Sequence, residues 1–340
     1  RNRKPSFKHC NLNLNAKVAL ISEKDEEQAV RFDYWIKLST LTKGKPIQVP
    51  LTTNSYFETA PGERKNFCQI NKNRDTGALT FCFMKEQERE EYTPITDQVA
   101  VDFGLRTLMA TNRGDLLGRN LIDTLKYYDA ILINLHKEQQ KIGLSLRTFR
   151  HNTIVNYIRN LLKQEVCRAI NRIIHIYKPK ELVVEDLDFR NTDLSKQMNR
   201  LLRNCGFKCV KDKLEHVENT LGIVITYVHP AYSSRVCTEC GYVDEKNRPT
   251  QDRFKCRLCG YGLNADVKAA KEHLVRSSNL GYDPNKRKQT ILNLVIESFL
   301  KRQLDWIEKQ RGHKYSVARL FELIYSNKYF KNLSSGNRVL

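Results

Sequence analysis

The chain has 340 residues, of which 58 are Lys or Arg and 38 are Asp or Glu, a net charge of +20. That surplus points to a polyanionic partner, nucleic acid first, against the alternative of a basic surface with no ligand. The length admits two or three domains, and no run of 18 apolar residues is present to cross a membrane. The opening RNRKPSFKHC has neither an initiating Met nor a signal-peptide pattern, as expected of a fragment of a cytoplasmic protein, nucleoid-associated if bacterial.

Residues 1–95 read as strands. In AVRFDYWIKLS, Val30, Phe32, Tyr34, Ile36 and Leu38 alternate with Arg31, Asp33 and Lys37, the period of a half-buried strand. FCQINKN and ALTFCFMK flank RDTG, a hairpin signal ending in Gly77. Pro46, Pro50 and Pro61 are expected to limit strand length. A small antiparallel barrel or sheet, with no helix, is the expectation here. The charged stretch 86–96 reads as a linker.

From residue 97 the pattern changes. DQVAVDFGLRTLMATNRGDLL reads as a strand meander with turns at Gly104 and Gly114. Long helices follow over 120–143 and 147–177. The second carries Ile154, Tyr157, Ile158, Leu161, Leu162, Val166, Ile170, Ile173 and Ile174 on one face. Arg150, Arg159, Lys163, Arg168 and Arg172 occupy its other face, either simply solvated or in contact with phosphate. Pro179 stops this helix. ELVVEDL is too short for a helix and reads as a buried parallel strand. A helix over 194–221, the strand GIVITYV, a cysteine-rich segment, a helix starting at Asn264 and a basic helical tail over 280–340 complete the chain.

Four of the ten cysteines form one pattern: Cys237-x2-Cys240, fifteen residues, Cys256-x2-Cys259, each pair continuing into Gly. Two thiolates at this spacing grip one tetrahedral ion, and a following Gly permits the tight turn. The spacing is that of a four-Cys zinc ribbon, and four sulfurs make a closed, structural Zn²⁺ site in a reducing compartment. His229 and His273 lie nearby in sequence and are not needed as ligands.

Three carboxylates stand out. Asp102 in VAVDFG and Glu185 in LVVED each end an apolar strand, where ligand sites open in α/β folds. Asp266 lies in the first turn of a helix with Asn264 as its N-cap, where the helix dipole favours an anion. Singly, each has a bland reading as a helix-start residue, a turn former or a solvated strand end. Together they make the set that a two-metal nuclease requires, because three mutually repelling carboxylates in one place call for metal.

VDFGLRTLMATNRGDL, LVVEDL and HPAYSSRVCTECG…FKCRLCGYGLNADVKAAKEHL resemble TnpB, the RNA-guided nuclease of bacterial insertion sequences, and the compact type V CRISPR effectors that share these motifs. The resemblance covers roughly residues 95–276. It implies a RuvC-like, RNase H-type α/β domain over 96–232, a zinc ribbon over 233–262 and a last RuvC helix over 263–279. By the same resemblance residues 1–95 are a β-barrel wedge domain, and 280–340 remain a tail. Asp102, Glu185 and Asp266 match the family's catalytic acids, implying two Mg²⁺ ions, with Mn²⁺ as a substitute. The implied partners are a guide RNA and a target DNA, and the implied activity is metal-dependent endonucleolytic cleavage. The alternatives are a nuclease-silent, guide-RNA-dependent DNA-binding protein and an RNase H-type transposase, whose usual acid order ends in Glu rather than Asp. The helical recognition module that interrupts the family's wedge barrel has no counterpart before residue 95.

Overall fold

The computed structural model describes residues 11–23, 32, 34–52, 54–72, 77–88, 91–143, 145, 148–185, 194–308 and 316–330. Val30, Arg31 and Asp33, the turn residues 74–76 of RDTG, Asp186 and Leu187 of LVVEDL, and residues 331–340 of the tail lie outside them. Two compact units divide between Glu90 and Glu91, inside the charged stretch 86–96.

The first unit is built on strands. β1 (Leu12–Leu14), β5 (Glu63–Lys72) and β6 (Leu79–Glu86) form one antiparallel sheet in the order β1-β5-β6. β2 (Ala19–Glu23), β3 (Tyr34–Leu38) and β4 (Ile47–Leu51) form the other. The β5–β6 hairpin is the one its flanking sequence signals, with Cys68 opposite Phe83 and Ile70 opposite Phe81. Ile36 and Cys68 are fully buried, with Leu14, Ile21, Leu38, Val49, Phe81 and Phe83 packed around them. Two expectations are corrected. Pro50 does not end a strand: it sits inside β4 opposite Trp35, tolerated because β4 is an edge strand. A short helix, α1 (Ser55–Thr59), does precede residue 95, capped by Asn54 Oδ1, which accepts from Phe57 N–H at 2.8 Å.

The second unit centres on a five-stranded sheet in the order β11-β10-β7-β8-β9. β7 (Thr96–Phe103), β10 (Pro179–Glu185) and β11 (Val224–Val228) run parallel. β8 (Met109–Thr111) and β9 (Leu116–Leu117) complete the meander antiparallel. Strand alternation divides the sheet's faces. Val99, Val101, Leu182 and Val184 point to a core made with α2 (Leu121–Lys141), α3 (Phe149–Tyr177) and α4 (Lys196–Leu221). Each such side chain contributes about 1.5–3 kcal/mol by leaving water. Ala100, Val183 and Val228 point the other way, onto Leu274 of α5 (Ala265–Ser277).

α3 ends as its sequence requires. Lys178 adopts the left-handed conformation (φ 41°), and Pro179, which cannot continue a helix, opens β10. α4 is capped by Ser195 Oγ and closed by left-handed Gly222. On α3, Ile158, Leu162, Val166, Ile170, Ile173 and Ile174 are buried as expected. Tyr157 is not: it is 47% exposed and packs on Tyr128 at 4.8 Å. Arg150, Arg159, Lys163, Arg168 and Arg172 are all exposed. Arg168 is drawn to Glu165 at 2.6 Å.

After β11 the chain forms a small ribbon with β12 (Arg253–Lys255) antiparallel to β13 (Gly262–Asn264). The segment after residue 280 is helical, in α6 (Lys288–Glu308) and α7 (Val317–Ser326), but it is not a free tail. Ile291, Leu292, Val295, Ile296 and Phe299 of α6, with Leu323, Tyr329 and Phe330, share one core with Val236, Tyr242, Val243, Phe254 and the ribbon cysteines. A ribbon this small has too little apolar surface of its own to make a core, and α6 and α7 supply the rest. Among the described residues, no helix is long and apolar enough to cross a membrane.

Candidate metal centres

The four ribbon sulfurs gather within 4.8 Å of one another. Cys237 Sγ lies 3.6 Å from Cys259 Sγ, and Cys240 Sγ lies 3.6 Å from Cys256 Sγ. Sulfurs at the corners of a zinc tetrahedron with bonds of ~2.3 Å stand ~3.8 Å apart, so the set fits such an ion closely. Each knuckle closes alike. Gly241 N–H donates to Cys237 O (2.8 Å), and Gly260 N–H donates to Cys256 O (3.0 Å). Both glycines sit at positive φ, 79° and 76°, which a side chain would strain. His229 takes no part: its ring contacts Lys286 O and accepts from Ala231 N–H.

The second centre follows from sheet register. Val183 pairs with Ala100 and Val184 with Val101, so the next step brings Glu185 beside Asp102 at the C-terminal ends of two parallel strands. By alternation both point to the α5 face, as Ala100 and Val183 do. Glu185 Oε1 accepts from Phe103 N–H at 3.2 Å. From α5 comes a residue the spacing argument left aside. His273, fully buried, places Nε2 at 3.0 Å from Asp102 Oδ1 and 3.6 Å from Glu185 Oε2. Asp102, Glu185 and His273 thus form a three-ligand group within 4.8 Å.

Asp266 stands beside this group rather than in it. Its helix starts where sequence places it: Asn264 Oδ1 accepts from Asp266 N–H (3.0 Å) and Val267 N–H (3.2 Å). Its carboxylate meets Arg248 Nη2 at 3.3 Å. Asp266 is near enough to Asp102 that its negative charge raises the Asp102 pKa. Arg248, from the loop between the two cysteine pairs, is the second site residue that sequence reasoning missed. An arginine in a loop has no periodic signature.

The electrostatics are those of a site built around missing positive charge. Burial, then the Asp266 charge, holds Asp102 well above the ordinary carboxylate range. Burial, then the Asp102 charge, pushes Glu185 up to about 8. Burial also raises Asp266, against the pull of Arg248. His273 is lowered to about 4, chiefly by burial, and is neutral at pH 7. Without a cation, Glu185 therefore holds a proton at neutral pH, and Asp102 is shifted in the same direction. A divalent ion would displace that proton.

Comparisons with known proteins show what the chain is similar to. Residues 207–272 match the family described as Cas12f1-like, TNB domain. Over 135 residues the chain is 38% identical to a CRISPR-associated endodeoxyribonuclease Cas12f1 of Sulfoacidibacillus thermotolerans, covering 40% of this chain and 29% of that protein. Over 163 residues it is 25% identical to a TnpB-like protein of Aquifex aeolicus (strain VF5), covering 45% of this chain and 53% of that one. The chain thus aligns with about half or less of the length of these relatives. Among solved structures, the cryo-EM structure of a Cas12f1-sgRNA-target DNA complex shares the fold at a TM-score of 0.54 and 16% identity, covering 82% of this chain and 66% of that one. Over less than half of its length the chain is thus similar in sequence to Cas12f1 and TnpB-like proteins, and in fold it is similar to a Cas12f1 structure.

Proposed function

We propose that this chain is the nuclease-bearing part of an RNA-guided, divalent-metal-dependent DNA endonuclease. In this reading residues 96–232 and 263–279 form a RuvC-like, RNase H-type domain, 233–262 are its zinc ribbon, and the first unit is a wedge-type domain. The observation that carries the reading is the pairing of Asp102 and Glu185 on adjacent parallel strands, with Asp266 across from them on α5. The donor set suits hard divalent ions of the Mg²⁺ or Mn²⁺ class, because such ions take carboxylate oxygens and burial raises both carboxylates above their ordinary range, a cost that a bound cation would offset. When bound, such ions supply an activated water and stabilise the leaving oxygen.

The chain's own residues do the positioning. Asp102 and Glu185 are fixed by strand register, and Phe103 N–H aims one Glu185 oxygen. Asn264 fixes the turn that carries Asp266. Arg248 pairs with Asp266 at 3.3 Å; were an ion held by that carboxylate, the guanidinium would be available to a phosphate. The surplus of 58 basic over 38 acidic residues holds the nucleic-acid backbone around this acidic point.

The test begins with sequencing RNA that co-purifies with the chain, then cleavage of matching DNA by guide-loaded protein. Asp102→Ala, Glu185→Ala and Asp266→Ala should each abolish cleavage and leave nucleic-acid binding intact, with non-additive combinations. Guide-dependent binding with uncut DNA in both Mg²⁺ and Mn²⁺ would make the protein a DNA-binding regulator instead. Strand-transfer products would make it a transposase.

A further inference from the structure

His273 is seven residues after Asp266, about two helical turns, so both lie on one stripe of α5. That stripe faces the sheet, and the His273 side chain has no exposed surface. Its Nδ1 is buried with no hydrogen-bond partner among the described residues. The ring is therefore held by what Nε2 does. As a neutral imidazole, Nε2 carries either one N–H or one lone pair. An N–H reaches Asp102 at 3.0 Å, but the 3.6 Å to Glu185 Oε2 is too long for a second hydrogen bond.

A cation between the three would take the Nε2 lone pair together with both carboxylates, with the ring proton on Nδ1. Ligands ~2.1 Å from an ion stand ~3.0 Å apart along an octahedral edge and ~3.4 Å apart in a tetrahedron. The separations from Nε2, 3.0 and 3.6 Å, need little adjustment to match. We propose that His273 Nε2 is a ligand of the ion held by Asp102 and Glu185, making this position a mixed nitrogen–oxygen site that takes a first-row transition ion such as Mn²⁺ in preference to Mg²⁺. Mg²⁺ favours all-oxygen shells and gives up water reluctantly, whereas imidazole suits the transition ions. The inference rests on the preceding reading that Asp102 and Glu185 hold an ion.

The experiment uses the full zinc-loaded chain and Mn²⁺ as the probe, read by electron paramagnetic resonance. Pulsed spectra of the Mn²⁺ complex should show the nitrogen coupling of a directly bound imidazole, altered by nitrogen-15 histidine labelling. His273→Gln, whose amide reaches the place of Nε2 and keeps a hydrogen-bond donor toward Asp102, should remove that coupling. His273→Leu should weaken Mn²⁺ about tenfold or more, while Mg²⁺, measured by competition, changes far less. Circular dichroism melts check that both variants fold. A wild-type Mn²⁺ complex that needs Glu185 but shows no nitrogen coupling overturns the inference and leaves the carboxylate site standing. Mn²⁺ binding that is indifferent to Glu185→Gln overturns both.

Discussion

In the absence of divalent ions at the carboxylate site, the second unit should lose stability as pH rises from 6.5 to 8. Burial raises Glu185 from 4.5 to about 8, so between those values the folded protein binds a proton that the unfolded chain does not. Stability falls with pH wherever the folded state holds more protons. For Glu185 alone, 13% exposed, the loss from pH 6.5 to 8 integrates to about 2 kcal/mol. Asp102, raised in the same direction, adds to it. His273 acts oppositely, because its folded pKa of about 4 lies below the unfolded 6.5, but most of its contribution is gained below pH 6.5 and only a fraction of a kcal/mol, roughly RT ln 2, remains above it. Lys268, lowered to about 8 by burial, opposes the fall mainly above pH 8. A loss of about 2 kcal/mol corresponds to ~4–8 °C in the melting temperature of a unit this size. The assay is thermal unfolding in metal-depleted buffer with zinc retained, repeated with excess Mn²⁺. Added Mn²⁺ should remove the fall, since the ion displaces the protons. Glu185→Gln should flatten the curve in both buffers. Parallel curves for wild type and Glu185→Gln in metal-depleted buffer would mean that this carboxylate is ionised throughout, and the argument for a charge-starved site would fail.

Phe299→Ala should cost about 3–5 kcal/mol and speed zinc release, because Phe299 is fully buried against Tyr242 (5.7 Å) and Phe330 (5.6 Å); a chromogenic chelator reads the release. Cys237→Ser should lower bound zinc, about one ion per chain in the parent, and destabilise the region carrying Asp266, as elemental analysis and melts will report. Asn264→Ala should cost about 1 kcal/mol and reduce cleavage, since it frees Asp266 N–H and Val267 N–H at the start of α5. Nucleic-acid affinity should fall with salt at a log–log slope of roughly −0.9 per neutralised phosphate on duplex DNA and roughly −0.7 on single strands; a flat dependence would reduce the +20 charge to a solvated surface.

Much of this layout is legible in sequence where a period or a spacing carries it. VAVDF and LVVE state by alternation which side chains share a face, and the parallel pairing of β7 with β10 then makes neighbours of Asp102 and Glu185. The two Cys-x-x-Cys-Gly units specify their own knuckles. Asn264 is legible as a cap because a side-chain acceptor at a helix start has one obvious use. What was not legible depends on tertiary partners. Tyr157 lies on the apolar stripe of α3, but its ring is drawn to Tyr128 and half exposed. In α6, Ile291, Leu292, Val295, Ile296 and Phe299 carry a helical period, yet NKRK before them suggests a solvated tail; only the ribbon's need for a core decides the matter. His273 left a weaker trace, its seven-residue spacing from Asp266. Arg248 left none.

α5 is the part through which the ribbon and the sheet depend on each other. At its start, Ala265 N–H donates to Asp252 O at 2.9 Å, and β13 runs directly into the Asn264 cap. Along its length two buried cations fasten it to the loop between β11 and the ribbon. Lys268 Nζ donates to Ser233 O and lies 4.7 Å over the Phe254 ring. Arg276 donates to His229 O (2.6 Å) and Ala231 O (2.8 Å) and pairs with Glu272. Burying such charges is costly unless their donors are used; three of these donors go to carbonyls of one loop, while Arg276 Nη2 has no partner among the described residues. The loop therefore cannot shift without exposing or stranding a charge. Because Phe254 and Ala265 also belong to the core closed by α6, α7 and the cysteines, the same packing that holds the zinc ligands sets the angle at which α5 presents Asp266 and His273 to Asp102 and Glu185. Loss of zinc should therefore move the carboxylate site although no ligand is shared, because β13 and the start of α5 join the last cysteine directly to Asp266.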